Sequence, residues 1–150
     1  MSIRSRVVAI ALVGVSLAPA FTAHGDESLA DKQYWDAEMV QIKQTLDQTN
    51  IACGTSIPFE WVNKTDLRDK ATKAGTHPSG VCSPIMTTVT MTCNSSADAK
   101  SRVAKKIKGI SCGYGDPRAI TLSGGKLTLM GNIREYNFDQ WATPTVAGLL

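Results

Sequence analysis

The chain has 150 residues, 43% apolar and 19% charged, with a formal net charge of +3. That balance excludes a disordered acidic tail, a collagen-like repeat and a multi-spanning membrane protein, and it fits one globular domain better than two. The 16 basic residues include Arg4 and Arg6; without them 14 stand against 13 acids, a net +1 that offers no overall charge for gripping nucleic acid.

Residues 1–25 read as a cleaved secretory signal. Arg4 and Arg6 give a positive start, and an apolar run follows from Val7 to Leu17. That run is short of the roughly 20 residues that span a bilayer. Ala18-Pro19-Ala20 and Ala23-His24-Gly25 offer small residues for a peptidase. The expected product is residues 26–150, a single globular domain in an extracytoplasmic space, periplasmic or secreted, with no transmembrane segment.

The spacing predicts a helix over 29–49. Ser28 caps it, and Trp35, Met39, Ile42 and Leu46 share a core face. Asp36, Glu38, Lys43, Gln44 and Asp47 fall on other sides. Cys53-Gly54-Thr55-Ser56 reads as a turn. Residues 57–62 follow as a strand, with Pro58 pointing to an edge position or a strand start. Residues 65–74 form a short charged helix ended by Gly75, and 76–80 a loop.

Residues 83–93 fit two readings. Ile85, Val89, Met91 and Cys93 alternate, and the threonines favour a strand. Cys82, Ile85, Met86, Val89 and Cys93 also trace a helical face, with Ser83 as cap and Pro84 in the first helical position. The two cap signals tip the reading to helix. A clearer helix covers 96–108, capped by Ser96 and lined by Ala99, Val103 and Ile107. Ile110–Cys112 is a short strand, and Gly113 to Pro117 a glycine-rich turn. Residues 119–122 and 127–130 flank Ser123-Gly124-Gly125-Lys126 as a hairpin. Phe138 and Trp141 precede a small, apolar tail. The expected fold is α+β: an N-terminal amphipathic helix and two or three further helices packed on a small antiparallel sheet that ends in a hairpin, stapled by two disulfides.

Cys53, Cys82, Cys93 and Cys112 all follow the signal, and an oxidising space favours pairing them. Their three connectivities stay open. The wide gaps do not suit a zinc site, which wants close pairs. No metal or cofactor is expected. A thiol nucleophile based on Cys82 and His77 would need an unpaired cysteine.

Charge segregates along the chain. Residues 26–50 hold Asp26, Glu27, Asp31, Asp36, Glu38 and Asp47 against Lys32 and Lys43. Residues 97–110 hold Lys100, Arg102, Lys105, Lys106 and Lys108 against Asp98. The basic face points to a protein or polyanion partner. The sequence therefore predicts an exported, disulfide-stabilised binding protein, most concretely an inhibitor or immunity-type protein acting on a macromolecule. A small secreted hydrolase is the alternative, with acid and base drawn from Glu60, Glu135 and Asp139. An envelope-associated structural protein is the third. Asn63-Lys64-Thr65 and Asn94-Ser95-Ser96 match glycosylation acceptors in a eukaryotic source.

Overall fold

A computed structural model describes residues 28–133 and 137–150. The segment expected to be a signal, residues 1–25 with His24, lies outside the described residues, as does Glu135. Five helices and four strands follow in order: α1 (Leu29–Cys53), β1 (Phe59–Trp61), α2 (Lys64–Lys73), α3 (Pro78–Ser95), α4 (Ala97–Lys106), β2 (Gly109–Tyr114), β3 (Ala119–Ser123), β4 (Lys126–Gly131) and α5 (Phe138–Leu149). This is the expected α+β class. No described helix is long and apolar enough to cross a membrane.

The sheet runs β1-β2-β4-β3 and is mixed, not wholly antiparallel. Only β3 and β4 form the expected hairpin; β1 pairs with β2, and β2 with β4, in parallel. The reason is connectivity. Three helices intervene between β1 and β2, which permits a parallel crossover. β4 then turns back from β3 and slots between it and β2. Pro58 places β1 at the edge, where its carbonyl accepts from Ile110 N–H at 2.9 Å.

α1 begins as its cap predicts. Ser28 Oγ accepts from the Asp31 N–H at 3.1 Å and donates to its carboxylate at 2.7 Å. Arg68 on α2 ion-pairs with the same carboxylate. The Ser28 hydrogen bond, then Arg68, hold Asp31 below its ordinary 3.8. A depressed folded value means that this contact is fully present above about pH 4 and is lost as pH falls through the folded value. The wild-type advantage in melting temperature over Asp31→Asn should therefore shrink on acidification; a gap constant down to about pH 2 would contradict it.

The helix runs to Cys53, past the predicted end at 49. Gly54, at φ 67°, then closes it with a left-handed cap. Trp35 and Ile42 are buried as expected. Glu38 is buried too, which corrects its placement off the core side. Its carboxylate caps another helix.

α3 is a helix, and it starts five residues before the predicted cap. Pro78 occupies the first helical position, and Pro84 sits inside the helix. His77 at the N-cap gives no side-chain capping bond to the helix. Glu38 Oε2 instead accepts from the Ser79 N–H at 2.8 Å, and Glu38 Oε1 lies 3.2 Å from His77 Nδ1. Sequence-local reasoning missed this start because the capping oxygen comes from 41 residues away. Two of its threonines satisfy their hydroxyls, Thr92 on the Thr88 carbonyl at 2.9 Å and Thr90 on Thr49 at 2.9 Å, whereas the buried Thr88 hydroxyl has no partner among the described residues. Ile85, Met86 and Val89 are fully buried beneath them.

Contacts from Glu38 to Ser79, Thr49 to Met86 and Cys53 to Cys93 rise together along both chains, so α1 and α3 lie parallel. Two crosslinks anchor α3. Cys53–Cys93 joins the C-terminal ends of α1 and α3, with Cα atoms 5.2 Å apart. Cys82–Cys112 joins α3 to β2, with Cα atoms 5.8 Å apart. All four cysteines are buried in the core with Leu67, Val103, Leu127, Leu129 and Val146.

Two further expectations change. Gly113-Tyr114 belongs to β2, and the turn starts only at Gly115. A Cβ at Gly113 would meet Asn63 Oδ1 at 2.2 Å and the Val62 carbonyl at 2.6 Å, so only glycine lets the chains approach. Asn63 bonds the Tyr114 backbone in both directions, at 2.9 and 3.1 Å, and so extends the β1 pairing with its side chain. The tail after Phe138 forms α5, which buries Ala142 and Val146.

Candidate partner-binding site

The basic cluster lies on α4 and the start of the segment beyond it, since the helix ends at Lys106 and not at 108. Its charges divide by duty. Lys108 Nζ donates to the Ala104 carbonyl near the end of α4 at 2.6 Å, and Lys106 Nζ to the Leu149 carbonyl at the end of α5 at 3.4 Å. A Cβ on Gly54, the α1 cap, would sit 3.5 Å from Lys100 Cε. These three lysines thus stand at helix C-termini, where carbonyl dipoles favour cations. Arg102 pairs with Asp98 one turn away at 3.2 Å. Lys105 is exposed.

The two described carboxylates of the hydrolase alternative, Glu60 and Asp139, sit on different elements, β1 and the start of α5. Glu60 lines a small cavity of about 200 Å³ with Phe59, Lys108, Gly109 and Gly125, and its carboxylate is ion-paired to Lys126 at 2.5 Å. Asp139 lies in the exposed first turn of α5. Among the described residues no three of His, Cys, Asp and Glu converge as a metal site.

A larger groove of about 520 Å³ opens where α2 ends, α3 begins and α5 departs from β4. Val81, Pro84, Ile133, Phe138 and Trp141 supply apolar walls, and Arg118 lies over the Trp141 ring at 4.3 Å. Phe138 and Trp141 meet edge to face, with centroids 5.7 Å apart. Pro84 offers no N–H to the Gly80 carbonyl, and both residues line the groove. A smaller cavity of about 170 Å³ shares Ala74, Asn132 and Ile133 with it and adds Lys70 and Lys73. Lys70 Nζ lies 5.3 Å from the Tyr114 ring centre. The result is an apolar, aromatic cleft with basic side chains along its margin.

None of these groove residues was legible as a site, because they come from five separate elements. The one local sign was Phe138 and Trp141 at helical spacing. Comparison with known protein families, with curated proteins and with solved structures finds no match.

Proposed function

We propose that the protein is an exported binding protein that captures a macromolecular partner outside the cytoplasm, in the manner of an inhibitor or immunity-type protein. The observation that carries this reading is the groove: aromatic anchors in a concavity, with Arg118, Lys70 and Lys73 beside it. Buried aromatic and arginine anchors supply most of the binding energy at protein interfaces. The fitting partner segment is apolar with flanking acids. The two core disulfides support export to an oxidising space, and Cys82–Cys112 anchors α3 next to Val81 of the groove wall. The α4 face gives a second area for charge steering, with Lys105 as its test residue.

Immobilised protein should retain a partner from the extract of its native compartment saturably. Trp141→Ala should weaken that retention by about 30-fold. Lys105→Glu should slow capture mainly at low salt. Both variants should keep the wild-type circular dichroism. Equal retention by folded wild type and Trp141→Ala would remove the groove from the reading; no saturable retention by wild type would remove the reading itself.

A further inference from the structure

The outer face of α1 carries a second surface, independent of the groove. Leu29, Val40 and Ile51 are 72%, 65% and 79% exposed, unusual values for large aliphatic residues. They recur every eleven residues. Eleven residues make about three helical turns, so the three side chains line up within about 40°. They face about 160° away from the buried side that carries Trp35, Ile42 and Cys53. The same interval repeats Lys32 as Lys43, Gln33 as Gln44, and Asp36 as Asp47, all of them exposed. The four charged residues fall on one flank of the aliphatic line, and the glutamines on the other.

This pattern complements itself. We propose that α1 packs lengthwise against α1 of a second copy, antiparallel, about a twofold axis at Val40. In that register Val40 meets its own counterpart, and Leu29 meets Ile51 of the second copy. Lys43 then lies beside Asp36 of the second copy, and Lys32 beside Asp47. Symmetry doubles each contact, which gives four ion pairs along one flank. Parallel packing about a twofold axis along the helices would instead set the charged flank of each copy against the glutamine flank of the other, and these ion pairs could not form. Among the described residues none of these four side chains forms an ion pair within its own chain. A shallow depression beside Ile51, walled by Asp47, Asn50, Thr55 and Ile57, lies where Leu29 of the second copy arrives. The line from Leu29 to Ile51 runs about 33 Å at 1.5 Å per residue. Such a contact buries on the order of 1,000 Å², the low end for specific interfaces.

Sedimentation equilibrium of the purified protein, from about 1 to 500 µM, tests the pairing. A reversible dimer is expected, weakened at least about tenfold by Val40→Asp. Lys43→Asp alone and Asp36→Lys alone should each weaken it, because each sets like charges together. The combined variant should return to within about threefold of wild type. These positions are exposed, so circular dichroism should stay unchanged in all four. A monomer throughout the range, a dimer indifferent to Val40→Asp, or a combined variant no better than the single ones would each overturn the proposal.

Discussion

Replacing Cys82 and Cys112 together by alanine is expected to lower the unfolding free energy by about 3.6 kcal/mol. The crosslink closes a 30-residue separation, and the loop-closure entropy it removes from the unfolded chain sets that size. The same argument gives about 3.9 kcal/mol for Cys53–Cys93, which closes 40 residues. Both losses are large against the roughly 5–15 kcal/mol that holds a typical domain together. The sulfurs are also core atoms, so the alanine pair leaves space between α3 and β2. Urea unfolding with and without reductant reads the effect. A midpoint shift equivalent to less than about 1 kcal/mol would show that these bridges do not carry the fold.

The second large effect is expected at Glu38. Glu38→Ala should cost about 2–3 kcal/mol, because it removes a charged acceptor from the start of α3 and leaves the Ser79 N–H buried without a partner. The carboxylate also meets the positive end of the α3 dipole, where a negative charge is favoured. Glu38→Gln should recover part of the loss, since an amide oxygen can still accept. His77→Ala is the control. That side chain is 78% exposed, and a single hydrogen bond to it contributes about 1 kcal/mol. Comparable losses at His77 and Glu38 would shift the explanation from capping to the contact between these two side chains.

How much could be read in advance follows from how far each signal reaches. Ser28, Ser96 and the Ser123–Lys126 turn act within four residues; the two helices begin where the spacing put them, and the hairpin turns there. Residues 83–93 are harder, since local propensity pulls two ways; burial of Ile85, Met86 and Val89 decides for helix. The α3 start was misplaced because its cap comes from α1. The antiparallel sheet was wrong beyond the hairpin because strand order depends on crossovers, not on any strand's own pattern. The groove was invisible for the same reason, as Val81, Arg118 and Trp141 share no local signature.

By itself the amino-acid order determined the amphipathic first helix, the hairpin, the even set of cysteines and the segregation of charge. These are written in side-chain periodicity and composition, which act along the chain. Only the tertiary structure decided which cysteines pair, which strands run parallel, and that Glu38 belongs to the start of α3. Those outcomes depend on groups tens of residues apart, and the packed core is what selects among the partners that each group could have met.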